Sequence, residues 1–192
     1  MNENSVIERA IGYIEQLFAK DCSGHDVGHT MRVYRNACSI ADTEPDCDWF
    51  VVALAALLHD VDDHKLFQTE NNQNARAFLA EHRIEQAKVE QICRVINGIS
   101  FSKNRGLRPD SLEGKIVQDA DRLDAIGAIG IARTFAFGGQ RNRPMADSVQ
   151  HFYDKLLLLK DQMNTAAGKH MAEARHGRMV QFLQDLEQEM GN

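Results

Sequence analysis

The 192-residue sequence is poor in the residues that crosslink or interrupt a fold. It has only three prolines, and no pair among its four cysteines stands at the C-x-x-C spacing of a zinc site. No apolar run reaches the roughly 18 residues that a membrane span needs. The first residues, MNENSVIERA, lack the apolar segment of a signal peptide. These absences predict reduced, core-filling thiols in a cytoplasmic protein that does not use a membrane.

Positive charge is also scarce. The 22 Lys and Arg residues are outnumbered by 28 Asp and Glu, which gives a net charge of −6. A general nucleic-acid binder usually carries a basic surface, so nucleic acid is disfavoured as a partner, whereas a small anionic ligand stays compatible. No P-loop, GxGxxG or kinase-like motif is present, which argues against the common ATP-driven classes.

Helical periodicity dominates the rest of the chain. Apolar residues recur at helical spacing in residues 4–20, and no segment alternates convincingly with the period of a strand. Further helices are predicted over 25–41, 46–58, 70–81, 85–98, from about 111, and over 146–162 and 165–190. Two basic loops, 99–110 and 138–147, interrupt the series. We predict an all-α, single-domain helical bundle over residues 1–192.

Several polar residues stand where a core helix would favour apolar ones. The run FVVALAALL ends directly in His59 and Asp60, and His29 lies on the preceding predicted helix. The later segment VQDADRLDA adds Asp119, Asp121 and Asp124, and Arg122 could neutralise one of these acids. Two imidazoles and two carboxylates from three helices make a plausible mixed nitrogen and oxygen site for one transition metal.

The ordered set resembles the HD-domain superfamily of metal-dependent phosphohydrolases. The resemblance extends over HDVGHTMRV, ALLHDVDDHK, DADRLDAIGAIGIAR and HFYDKLLLLKDQMNT, and is closest to a small, single-domain bacterial subfamily. It covers about residues 20–185, with the helix at 4–20 in front. It implies an HD-type bundle, and the metal ligands that it implies are His29, His59, Asp60 and Asp121, with Asp119 as the alternative fourth ligand.

The implied ligand set decides which ions are suitable. Two nitrogens and two oxygens suit Mn²⁺, Fe²⁺, Co²⁺, Ni²⁺ or Zn²⁺, whereas Mg²⁺ prefers oxygen ligands and would bind more weakly. The extra acids Asp62, Asp63, Asp119 and Asp124 leave open whether a second ion binds.

The resemblance also implies a reaction, namely hydrolysis of a phosphate ester or anhydride by a metal-bound water. The substrate it favours is a nucleotide or a similar phosphorylated small molecule. Asp63 and Asp119 are the candidate proton acceptors or orienting groups. The candidate substrate contacts are His25, Arg32, Lys65, Lys103 and Lys155, to which Arg105, Arg141 and Arg143 would add an electropositive rim. The alternative for these cations is ordinary solvated surface.

Two other functions compete with the enzyme. A regulatory HD module would bind a nucleotide without turnover, and its sequence mark would be a lost ligand, whereas all four ligands are present here. A plain helical interaction protein would leave the buried acids unexplained. Apolar helix faces make a homodimer reasonable, and the choice between phosphate and pyrophosphate release stays open.

Overall fold

A computed structural model describes residues 2–19, 26–64, 66–99 and 107–191. These ranges contain α-helices and no strand, which confirms the all-α prediction. The nine α-helices within them are α1 (Glu3–Leu17), α2 (Val27–Ala41), α3 (Trp49–Leu58), α4 (Gln73–Glu81), α5 (Gln86–Ile99), α6 (Leu112–Asp124), α7 (Gly127–Gln140), α8 (Met145–His151) and α9 (Ala166–Glu189).

The helices form two compact units, Met1–Ala120 and Asp121–Asn192. The division falls within α6, a helix without a break. The expectation of one domain over the whole chain stays a prediction.

Helix α3 is the centre of the first unit. Every residue from Phe50 to Leu58 is buried, and the helix packs against α1, α2 and α5. Burying a large aliphatic side chain contributes about 1.5–3 kcal/mol, so this apolar run supplies much of the unit's stability. Asp48 caps the helix by accepting a hydrogen bond from the amide of Val51 at 3.2 Å, and its other oxygen lies 2.6 Å from Lys88 Nζ. Asp48 therefore fixes the start of α3, and the helix ends at Leu58, directly before His59.

The loop after α3 is tied to the start of α4. Asp62 accepts hydrogen bonds from the amides of Asn74 and Ala75 at 2.9 and 3.0 Å. The side chain of Asn74 donates in return to the carbonyl of Val61 at 2.7 Å. Asp62 thus satisfies amides of the first helical turn that have no partner within the helix.

In the second unit, α7 packs against α9, and a tight corner joins the end of α6 to α7. Gly127 adopts a φ of +77°, a conformation that L-residues rarely adopt. A Cβ atom on Gly130 would lie 2.3 Å from the carbonyl oxygen of Ala125. The guanidinium of Arg175 donates to the carbonyl of Leu123 in the last turn of α6. Glycine at these positions lets the chain turn closely from α6 into α7.

One predicted helix was wrong in type. Residues 146–162 were expected to form one α-helix, but α8 gives way to a π-helical segment, Phe152–Leu156, and then to a 3-10 segment, Leu157–Gln162. The buried residues Phe152, Leu156, Leu159 and Met163 still recur every three or four positions. That spacing identifies a helical face, and it does not distinguish the hydrogen-bond pattern beneath it.

Candidate metal centre

His29 is held at the start of α2 by the capping residue of that helix. The carboxylate of Asp26 accepts a hydrogen bond from the His29 amide at 2.7 Å. The imidazole is buried, with 5% of the side chain exposed. Asp26 therefore fixes the backbone from which the His29 ring enters the interior.

His59 and Asp60 stand at the end of α3, where the rigid apolar helix positions them. His59 Nδ1 lies 2.8 Å from the carbonyl oxygen of Ala56. A carbonyl can only accept, so Nδ1 carries the proton in this bond, and in the neutral ring Nε2 keeps its lone pair. A backbone contact of this kind orients many metal-binding histidines.

Three potential ligand atoms meet where these side chains converge. His29 Nε2 lies 3.2 Å from His59 Nε2, and Asp60 Oδ2 lies 3.4 Å and 3.3 Å from these two nitrogens. The three side chains are only 5%, 5% and 11% exposed. Atoms bound to one first-row metal ion at about 2.0–2.2 Å lie about 3.0–3.5 Å from one another. The donor set and its spacing therefore fit a single transition-metal ion.

Asp121 follows in the last turns of α6. One ligand atom from each of His29, His59 and Asp121 lies within 4.8 Å of the others. The turn of α6 just before it is tied to α2, since Asn36 Nδ2 donates to the carbonyl of Ala120 at 3.3 Å. A His-His-Asp group able to hold a divalent metal is thus present among the described residues, while its role as a ligand set stays a prediction.

The extra acids have different surroundings. Asp62 caps α4, and Asp124 is buried and paired with Arg133. Asp119 is fully buried in α6. Arg122 and Arg133 are the two arginines whose pairing with Asp121 is the alternative to ligation, and Arg133 pairs with Asp124. Two of the four acids that left a second ion open therefore have structural partners.

Of the remaining predicted catalytic and substrate-binding residues, the structure describes some and not others. Asp63 is half-buried beside the HD pair, with Oδ1 3.6 Å from His64 Nδ1. Arg32 lies on α2, and its Nη1 would be 3.1 Å from a Cβ atom on Gly28. Lys155 lies in the π-helical segment. Three predicted contacts lie outside the described residues, namely His25, Lys65 and Lys103.

Two supporting groups were missed at the level of sequence. Asp26 stands three residues before His29, and an acid at that spacing from a helix start is a capping signal that would have identified it. The contact of His59 with the Ala56 carbonyl has no such signal, because every residue carries a carbonyl.

Within the described residues, no helix combines the length and the apolar character that crossing a bilayer requires.

The family model of the HD domain matches residues 26–126, a range that includes all four predicted ligands. The chain belongs to the HD-domain family of metal-dependent phosphohydrolases, as its motifs predicted.

Individual relatives agree with this assignment. YpgQ of Bacillus subtilis is 38% identical over 99% of this chain and 96% of its own length. The crystal structure of YpgQ in complex with ADP is similar with a TM-score of 0.86, 34% identity and coverage of 98% and 97% of the two chains. An HD-superfamily hydrolase of Bacillus thuringiensis is similar with a TM-score of 0.84, 39% identity and coverage of 99% of both chains.

Proposed function

We propose that the protein hydrolyses a phosphate ester or anhydride bond in a nucleotide or a similar phosphorylated small molecule. The observation that carries the proposal is the cluster of His29, His59 and Asp60, whose ligand atoms lie 3.2–3.4 Å apart. Side chains of this kind seldom meet in a nearly buried place without a cation, because desolvation of a carboxylate is costly.

The proposed ligands of the ion are His29, His59, Asp60 and Asp121. Mn²⁺, Fe²⁺, Co²⁺, Ni²⁺ and Zn²⁺ suit this mixed set, and Mg²⁺ suits it less. When bound, such an ion lowers the pKa of water toward 7 and neutralises charge on a phosphoryl oxygen. The Ala56 carbonyl keeps the His59 ring in the orientation that presents Nε2 to the site.

Asp63 and Asp119 are the proposed proton acceptor and orienting group. Asp63 is half-buried, and its amide donates to the carbonyl of Asp60 at 3.0 Å, so a tight turn fixes it beside the ligand. Asp119 lies two residues before Asp121, and residues at this spacing point to different sides of a helix. The geometry therefore favours Asp63 for the proton and Asp119 for a supporting role.

A relative supports the proposal that the substrate is a nucleotide, since YpgQ was crystallised with ADP. Phosphoryl transfer depends on positioning and charge neutralisation more than on covalent chemistry by the protein. Cationic side chains would supply that neutralisation, and the proposed substrate contacts are His25, Arg32, Lys65, Lys103 and Lys155. A homodimer is part of the same proposal.

A regulatory module that binds a nucleotide without turnover is the alternative. It would use the same fold and the same site, and its sequence mark would be a lost metal ligand. The intact ligand set favours the enzyme, since a module without turnover has no need of every ligand.

The test is release of phosphate and pyrophosphate from a panel of nucleotides with Mn²⁺, Co²⁺, Ni²⁺ or Mg²⁺. Asp60→Ala should abolish release, whereas Asp161→Ala, which removes an exposed acid outside the cluster, should not. Pyrophosphate from triphosphates would place the cleavage between the α and β phosphates, and phosphate from monophosphates would make the protein a nucleotidase. Metal binding with no turnover across the panel would favour the regulatory module.

A further inference from the structure

Asp62 and Asn74 join the loop after α3 to the start of α4 by reciprocal hydrogen bonds. One carboxylate oxygen of Asp62 accepts from the amide of Asn74 at 2.9 Å, and the other accepts from the amide of Ala75 at 3.0 Å. The side chain of Asn74 donates to the carbonyl of Val61 at 2.7 Å. We call these three hydrogen bonds the Asp62–Asn74 clamp. They connect residues that are 12 or 13 positions apart in the sequence.

The clamp supplies a cap that α4 could have taken from its own N-cap residue. That residue is Asn72, and an asparagine at this position usually accepts a hydrogen bond from the first turn of its helix. Among the described residues, the Asn72 side chain caps no amide of α4, and it donates instead to the carbonyl of Cys93 at 3.4 Å. Capping by Asp62 has a further effect, because it also orders the loop that carries Asp62.

Helix α4 gives the clamp a fixed support. Phe78 of α4 stacks on Tyr13 of α1, with ring centroids 5.1 Å apart. Arg76 of α4 donates two hydrogen bonds to the carboxylate of Glu90 in α5, at 2.6 and 2.7 Å. The loop after α3 is therefore tied to a helix that is itself held by two neighbouring helices.

The clamp acts on the residues that link Asp60 to Asp63. Val61 and Asp62 are the two residues between them, and the clamp engages both. The amide of Asp63 donates to the carbonyl of Asp60 at 3.0 Å, so the four residues form one tight turn. Helix α3 fixes this turn where the chain enters it, and the clamp fixes it from the side of α4.

We propose that Asp62 and Asn74 are positioning residues of the candidate metal centre. The clamp keeps the carboxylate of Asp60 beside the two histidines of the site, and it keeps Asp63 next to that ligand. The inference rests on the proposed function, in which Asp60 holds the ion and Asp63 accepts the proton. It also gives a role to Asp62, an acid that the proposed reaction does not use.

The first test measures Mn²⁺ affinity by calorimetry on the full-length protein and needs no substrate. Asn74→Ala removes the hydrogen bond to Val61, and Asp62→Ala removes the acceptors of both α4 amides. Partners outside the ligand set contribute about 10–100-fold to metal affinity or activity, so we expect a loss of about tenfold in each variant. Asp62→Asn keeps one acceptor oxygen and should recover part of the affinity.

Arg76→Ala is the matched control, because it weakens the attachment of α4 and leaves the clamp intact. It removes the hydrogen bonds of Arg76 to Glu90 and to the carbonyl of Asn71. We expect this variant to have a lower unfolding midpoint by circular dichroism and an unchanged Mn²⁺ affinity. Wild-type affinity in both Asn74→Ala and Asp62→Ala, or an equal loss in Arg76→Ala, would overturn the proposal.

Enzyme kinetics separate positioning from folding. At saturating Mn²⁺, displacement of Asp63 in Asn74→Ala should lower kcat by at least about tenfold and leave KM unchanged, whereas a purely structural role would leave the kcat of the folded variant at the wild-type value. Reduced Mn²⁺ affinity in Asn74→Ala, with no nucleotide hydrolysed by the wild type, would uphold the clamp while the proposed function fails. Nucleotide hydrolysis and Mn²⁺ affinity that are both equal in wild type and Asn74→Ala would overturn the clamp and leave the proposed function intact.

Discussion

Removing the cap of α2 tests how His29 is placed. Asp26 accepts the amide hydrogen bond of His29 at 2.7 Å, so Asp26→Ala leaves that amide without its acceptor. Replacing a capping Asp by Ala costs about 0.5–2 kcal/mol. Asp26→Asn keeps a good capping acceptor and loses only the interaction of the charge with the helix dipole, about 0.3–1 kcal/mol. The two variants therefore separate the hydrogen bond from the charge.

A loss of about 1 kcal/mol lowers the unfolding midpoint of a protein of this size by about 2–4 °C. We expect a decrease in this range for Asp26→Ala and a smaller one for Asp26→Asn, measured by circular dichroism on the metal-free proteins. Binding calorimetry with Mn²⁺ should show affinity reduced by about tenfold in Asp26→Ala, the lower end for contacts outside the ligand set. A wild-type midpoint in Asp26→Ala, or equal midpoints in the two variants, would contradict the capping role of the Asp26 carboxylate.

Two further predictions concern the metal and the corner between α6 and α7. Mn²⁺ at about 100 times its dissociation constant should raise the free energy of unfolding by about 2.7 kcal/mol, and Asp60→Ala should abolish this increase. Denaturant titrations of both proteins with and without Mn²⁺ measure the two values. An equal increase in Asp60→Ala would mean that the ion binds elsewhere. Gly130→Ala should destabilise by about 1–3 kcal/mol, because its Cβ would lie 2.3 Å from the Ala125 carbonyl oxygen. Gly177→Ala, whose Cβ would meet nothing within 4 Å, should stabilise by about 0.5–1 kcal/mol. A Gly130→Ala protein as stable as wild type would contradict the close approach.

The sequence predicted what depends on local pattern. The apolar run before His59 predicted a buried helix, and all its residues from Phe50 to Leu58 are buried. The order of His29, the HD pair and a later aspartate predicted the family, because those motifs stay recognisable in the chain.

Contacts between segments that are distant in sequence could not be predicted from local pattern. Asp62 belongs to the same acidic stretch as Asp60, yet it caps α4. The first amides of α4 are distant from Asp62 in sequence and lie close to it only in the folded chain. Arg133 likewise pairs with Asp124, one helical turn past Asp121, because the corner at Gly127 brings α7 back alongside that residue. The type of side chain limits which residues can pair with an acid, and the fold determines which of those residues lies close enough to do so.

The positions of His29, His59 and Asp60 explain why this group favours a cation. Nδ1 of His59 is occupied by the Ala56 carbonyl, so the neutral ring directs a lone pair toward a carboxylate 3.3 Å away and an imidazole 3.2 Å away. A proton on His29 Nε2 can satisfy one of these acceptors at a time. A divalent ion satisfies all of them together, and its binding offsets the cost of holding three polar side chains nearly out of water. Because α3 and the cap of α2 fix three of the proposed ligands, His29, His59 and Asp60, in the structure without an ion, little ordering is left for binding to supply.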